Sequence, residues 1–380
     1  SASRSSAPSP PDPLFIACDG GLTFKPGRLQ PPFVPPRALG RGRVTVLLIG
    51  VLAVALLAGG AAAAGAIATD AAGDTADRAP AAAGVGPAVH RVVDEHGEKM
   101  SKSKGNSPPP GPFVDKYGAD AMRLFGVLEA GLGGDLRFSE KRLAGASKFM
   151  TKLWNIARFI SMFPYDPQMK LDDLTPVDRW VLAEANEMVK RILPDCERLD
   201  FHKPAKEVRN FTWNVFADHI LEMLKGRCFN GDGLFTEHEQ KSAWFALHET
   251  LAVILRALAP ITPFLTEKVY RELYGEDSIH REPFPSSQSD YESELTNQTA
   301  LLQAVNGGFW GFKRENGISL REGLSAAYIP RELTPWGKDL QAMHGVESLK
   351  FGKPDDNSYA MIDLPEREAA IYILPPTQEK

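Results

Sequence analysis

Beyond residue 139 apolar residues return at three- and four-residue steps, a period that predicts a run of amphipathic helices. The first begins at about Ser139, whose hydroxyl can cap it while Glu140 places an acid in the first turn. Leu143, Ala146, Met150, Leu153, Ala157 and Ile160 form its apolar face. A second opens at Pro176 and Asp178, aligns Val181, Ala185, Met188 and Ile192, and ends at Pro194. A third, from about Pro204, uses Val208, Phe211, Val215, Ile220 and Met223. A fourth starts near Ser242, carries Leu247, Leu251, Ile254 and Leu258, and stops at Pro260. The helix restarts through Thr262 as cap and Pro263 at its first position. Antiparallel packing is the natural result. Upstream, a helix begins at about Ala119 with Gly118 as a hinge, after a proline-rich run at 107–112. Val92 and Val93 read as a short strand with a turn over Asp94 to Gly97.

The first ninety residues have another character. Residues 1–43 are rich in Pro and Ser with no period, as in disordered or extended chain. Residues 44–68 hold no charge, and their first half is strongly apolar, against the roughly 20 residues that a bilayer needs. Arg37, Arg41 and Arg43 before it, and Asp70 and Asp74 after it, would keep the N-terminus cytoplasmic. Residues 69–91 form an Ala/Gly/Pro linker. A membrane span at 44–68 is therefore one expectation.

The formal net charge of −5, from 43 basic and 48 acidic side chains, confines any nucleic-acid contact to a local basic surface. Cys18, Cys196 and Cys228 are far apart and form no Cys-x-x-Cys, so no zinc site or disulfide framework is visible and a reducing compartment fits.

The densest chemistry lies at 99–103, Lys99-Met100-Ser101-Lys102-Ser103, between Asp94-Glu95-His96-Gly97 and Lys104-Gly105-Asn106. Two lysines act as point charges for phosphate oxygens, and small residues let backbone N–H groups approach. A strand before the loop would present it at a carboxyl end, where open α/β sheets bind ligands. With these flanks the segment resembles the second signature of class I aminoacyl-tRNA synthetases. The run 116–123, Lys-Tyr-Gly-Ala-Asp-Ala-Met-Arg, resembles the block that follows that signature in enzymes for branched aliphatic amino acids, although the prolines at 108–112 depart from it. Residues 149–159, 174–180 and 258–264 resemble landmarks of the anticodon-binding helical domain, and Trp213 to His219 with Glu222 and Lys225 is most similar to the valyl enzymes.

The resemblance implies a mainly α fold, a helical-bundle anticodon-binding domain after a small α/β remnant of a catalytic domain. It places the remnant at 92–138, the helical domain at 139–285 and a small C-terminal module at 286–380. It implies a cytoplasmic enzyme that uses ATP with Mg2+ to join valine to tRNA-Val. Lys99 and Lys102 would be catalytic, and Lys99, Met100, Ser101, Lys102 and Ser103 would contact ATP. Lys141, Lys148 and Lys152 fall within one narrow helical stripe suited to phosphates, and Arg209, Trp213 and Lys225 are further tRNA candidates. The stripe also fits an ordinary solvated helix face, and Trp213 and Phe216 also fit a core.

The family's first signature, His-x-Gly-His, is absent from the eight histidines. These residues are thus expected to be the C-terminal part of such an enzyme and inactive alone, with residues 1–90 joined by a gene-joining or reading-frame error. A non-catalytic tRNA-binding module, an isoleucyl or leucyl fragment and a membrane-anchored scaffold, contacting the bilayer through 44–68, are the alternatives.

Overall fold

The computed structural model describes residues 91–275, 277–364 and 367–375. The membrane expectation at 44–68 and the readings of 1–90 lie outside these residues. Among the described residues no helix is long and apolar enough to cross a membrane.

Strand β1 (Val92–Val93) pairs in parallel with β2 (Leu136–Arg137), so the chain must cross over between them. The crossover is α1 (Gly111–Tyr117) followed by α2 (Ala119–Glu129). Helix α1 was not expected. Pro112 falls in its first turn, where a missing N–H costs nothing, so the proline run starts a helix rather than preventing one. Gly118 joins the two helices at φ 88°, a conformation that L side chains rarely adopt.

Helix α3 (Glu140–Ile160) buries the expected face, with Phe149 and Ile156 added. It begins after Ser139, but the Ser139 side chain makes no capping bond. The Glu140 carboxylate instead accepts from Lys116 and Tyr117, both at 2.8 Å, and ties α1 to α3. Helix α4 (Pro176–Glu197) is capped by Thr175 and runs through Pro194 instead of ending there. That proline costs only the partner of the Lys190 carbonyl, at an exposed position where water can replace it.

Helix α5 (His202–Asn210) continues without a break into a π-helical stretch (Phe211–Leu221) and then α6 (Glu222–Phe229). The wider turn explains the five-residue step from Val215 to Ile220, which a pure α-helix would put out of line. Helix α7 (Glu237–Leu258) starts five residues before Ser242. Thr236 and Glu239 form a reciprocal capping box there, and it sets the start before the apolar period begins.

Helix α8 (Pro263–Tyr274) follows, but Thr262 does not cap it, because its hydroxyl turns back to Leu258 O at 3.3 Å. The cap comes from α2: Asp120 accepts from Leu265 N at 2.7 Å and Phe264 N at 3.4 Å. Arg123, one turn on, donates to Ile261 O at 2.8 Å and Pro260 O at 3.0 Å. The remnant and the bundle are thereby locked across about 140 residues of sequence.

The C-terminal module holds α9 (Thr299–Glu315), β3 (Leu324–Ile329), α10 (Gly337–His344), β4 (Val346–Phe351), β5 (Ala360–Leu364) and β6 (Ala369–Ile373). Its sheet has the order β4-β3-β6-β5, with β3 and β4 parallel across α10 and the other pairs antiparallel. Helix α9 approaches one face closely: a Cβ on Gly308 would fall 2.8 Å from Ile371 Cδ1. At its end the buried Lys313 donates to Leu320 O, Glu322 O and His344 O, fixing the loop before β3.

Candidate functional site

The signature loop hangs on a small polar frame. Met100 N donates to Val92 O at 3.0 Å, and Val93 bridges Lys99, so the loop leaves directly from β1. One Asp94 oxygen accepts from His96 N and Glu98 N, closing the turn over Gly97 at φ 86°. The other accepts from Asn106 Nδ2 at 2.9 Å. Asn106 also donates to Lys99 O at 3.3 Å and accepts from Ser101 N at 2.9 Å. Its amide therefore joins both ends of the loop. These bonds, that from Asn106 first, hold the Asp94 carboxyl below its usual range.

Within the frame Ser101 caps a single 3-10 turn, accepting from Lys104 N, and Gly105 closes it at φ 71°. Ser103 Oγ lies 3.2 Å from Ser101 Oγ. Lys104 pairs with Glu98 at 3.2 Å, whereas Lys99 and Lys102 are exposed and make no ion pair among the described residues. Met100 is half-buried. Two unclaimed ammonium groups beside small residues make a surface that can receive phosphate oxygens.

The lysine stripe on α3 is broken. Lys141 and Lys148 are exposed. Lys152 is 7% exposed, bonded to Asp218 at 2.7 Å, with its ammonium 4.4 Å from the centre of the Trp213 ring. It is withdrawn from the phosphate-facing set, because the π-helical stretch covers it. Trp213 lies over Phe149, with ring centres 6.3 Å apart, and Phe216 is fully buried, so the core reading holds for Phe216. Arg209 is exposed. Lys225 is half-buried between Glu222 and the Phe159 ring. No element brings Lys225 to Lys141, so the candidates do not form one patch.

Residues 89–139 match the model of the class I tRNA synthetases for I, L, M and V, and residues 178–328 match the anticodon-binding domain of tRNA ligase. Over these residues this chain belongs to the class I tRNA synthetases. The chain is 40% identical to a valine–tRNA ligase of Aeropyrum pernix over 271 residues, which cover 70% of this chain and 33% of that one. Against the valine–tRNA ligase of Pyrobaculum aerophilum the identity is 38%, over 69% of this chain and 32% of that one. The chain thus spans about a third of the length of the curated relatives it matches. A solved LeuRS–tRNA–LeuAMS complex from Agrobacterium radiobacter K84 aligns over 54% of this chain and 23% of that chain, at 20% identity and a TM-score of 0.41.

In this synthetase chain the signature is flanked by two residues that sequence reasoning left outside the site. Asp94 and Asn106 shape the loop through bonds within its own frame. Their signal was legible only as flanking identity, since a bond across twelve residues has no local pattern.

Proposed function

We propose that residues 92–138 are the phosphate-handling end of a cytoplasmic valine–tRNA ligase, that 139–285 bind the anticodon region of tRNA-Val, and that 286–380 are an accessory module. The observation that carries this reading is the loop itself: Lys99 and Lys102, without an ion pair among the described residues, stand on a frame latched by Asp94 and Asn106, at the end of a parallel strand. The relatives, valine–tRNA ligases, suggest the amino acid. ATP with Mg2+ enters as substrate. Lys99 and Lys102 stabilise charge on the departing pyrophosphate, and Met100, Ser101 and Ser103 shape the loop around it. Exposed Lys141, Lys148 and Arg209 meet tRNA phosphates, with Trp213 and Lys225 contributing at the bundle surface.

A second reading is a tRNA-binding module without catalysis, favoured by the absence of His-x-Gly-His from these 380 residues. One pair of measurements separates the two. Retention of a tRNA-Val transcript on a filter tests the binding part, and valine-dependent exchange of pyrophosphate into ATP, alone and with a separately supplied first-signature domain, tests the chemical part. Indifference to tRNA would overturn both readings.

A further inference from the structure

We propose that the open face of the C-terminal sheet is a stacking platform for single-stranded RNA. The strand register lines up four side chains in one row: Lys350 opposite Tyr328, Tyr328 opposite Tyr372, and Tyr372 opposite Met361. Residues directly opposite one another share a face of a sheet. The other face is fully buried at Ala327, Ile329, Ile371 and Ile373, and α9 lies on it through Gly308. The row therefore points away from the helices. Tyr328 and Tyr372 are half-buried, while Lys350 is exposed and Met361 is 61% exposed.

The chemistry of the row selects its occupant. Tyr328 and Tyr372 stand directly opposite one another on the two central strands, whose backbones run about 4.7–4.9 Å apart. Tyr359 meets Tyr328 edge-on at 5.2 Å and walls one side, and the Lys350 ammonium lies 5.6 Å from the Tyr328 ring centre. Flat π-surfaces with a cation beside them suit unpaired bases, which every sequence supplies and which stack without pairing. Charge gives the direction. Lys350, Lys353 and Arg331, which lies over Gly352, gather at the β4 side. Asp363 shares the open face at the β5 edge, and Asp355 and Asp356 precede Tyr359. A phosphate backbone thus runs along β4 with its bases laid across Tyr328 and Tyr372 toward Met361. This site is separate from the helical surface proposed for tRNA, so either can fail while the other stands.

The probe is a labelled oligouridylate, too short and too weakly pairing to fold, titrated into the full chain by fluorescence anisotropy. Tyr328→Ala and Tyr372→Ala should each weaken it about 5- to 150-fold, the range that loss of one base stack produces. Tyr328→Phe and Tyr372→Phe keep the ring and should stay near wild type. A bromouridine-substituted oligonucleotide crosslinked to the wild-type chain should mark the β3 and β6 peptides, a readout that needs no variant to fold. Equal affinity for wild type and both alanine variants, crosslinks confined to residues 139–285, or no oligouridylate binding with capture of a protein on this face instead, would each overturn the proposal.

Discussion

Asn106 donates to Asp94 at 2.9 Å and, through its carbonyl, holds Ser101 N at 2.9 Å, so one side-chain amide fixes the beginning and the middle of the signature loop. Asn106→Ala removes three bonds from a half-exposed site and should change global stability little. Amide exchange should instead accelerate in the peptide covering residues 92–106 alone, read by mass spectrometry. Exchange unchanged at Ser101 would show that the backbone turn holds the loop without the latch.

The same pair gives the loop a pH response. The Asp94 carboxyl lies below its ordinary value of 3.8, mainly because Asn106 donates to it. A depressed carboxyl contributes order above its ordinary value and loses it as pH falls through the folded one. Protection of Ser101 and Glu98 amides should therefore decline only below about pH 4, and Asn106→Ala should shift that decline upward.

The two ends of the lysine stripe should behave oppositely. Lys148→Ala exposes nothing and should lower the slope of log affinity for tRNA-Val against log salt by about 0.9 if it meets one phosphate. Lys152→Ala strips the partner from the Asp218 contact seen here and from the Trp213 ring, so it should lower the thermal midpoint while leaving the salt slope unchanged. A slope that moves with Lys152 and not with Lys148 would return the phosphates to the buried position.

Arg227 links three helices: its guanidinium makes paired 3.0 Å bonds to both Asp178 oxygens, and its Nε lies 3.1 Å from Asp339 Oδ1 on α10. The two partners differ. Asp178 also accepts from Thr175 and Ser242, whereas the Arg227–Asp339 contact lacks hydrogen-bond geometry. Burial accordingly pushes the Asp339 carboxyl up to about 7 despite the cation beside it. Arg227→Met leaves two buried carboxylates unpaired and should cost about 3–5 kcal/mol. Asp339→Asn should cost far less in urea unfolding, because the contact that it gives up is poorly aligned.

His344 and Asp339 give α10 opposing acid responses. Burial, and then Lys313 and His219, pull the His344 imidazole down to about 3 from an ordinary 6.5. Between those values the unfolded chain binds the extra proton, so this group contributes stability above about pH 6.5 and loses it as pH falls toward 3. Asp339 does the reverse: its raised value means that the folded state holds a proton which the unfolded state has released, so stability falls as pH rises from about 4 to 7. His344→Asn can keep a donor toward Asn306 and removes one limb. Unfolding midpoints in urea should then fall less between pH 6.5 and 5 than in the wild type, whose midpoint carries both limbs. An identical pH profile would mean that His344 does not titrate with unfolding.

How much of this was legible depended on whether the cause was local. Apolar period and capping residues act within a few positions, so the faces of α3, α4 and α7 read correctly from Leu143, Val181 and Leu247. The π-helical stretch left a trace only in the step from Val215 to Ile220. Lys152 failed because its burial depends on Asp218, 66 residues away, and no stripe geometry contains that neighbour. The cap of α8 failed for the same reason, with Asp120 reaching it from 144 residues upstream. The loop from Lys99 to Ser103 after β1 was legible as a loop because it is built from contiguous residues, while the strands of the C-terminal sheet were not read at all, since five- and six-residue strands such as 369–373 have too few positions to show a period.

Adenylate formation of the kind the resemblance implies needs cations on the phosphates, the histidine signature opposite them and a pocket that orients the attacking carboxylate. These 380 residues supply Lys99 and Lys102 for the first need, and no His-x-Gly-His for the second. Without orientation the reaction forgoes much of the proximity term, which reaches about 7–11 kcal/mol, or many powers of ten in rate. The purified 380-residue chain should therefore show no valine-dependent exchange of pyrophosphate into ATP. Exchange should appear when a domain bearing the first signature is added, and Lys102→Ala should then remove most of it while tRNA-Val retention on filters stays intact. Robust exchange by the chain alone would mean that residues 1–90 carry the missing groups in a form their sequence does not announce.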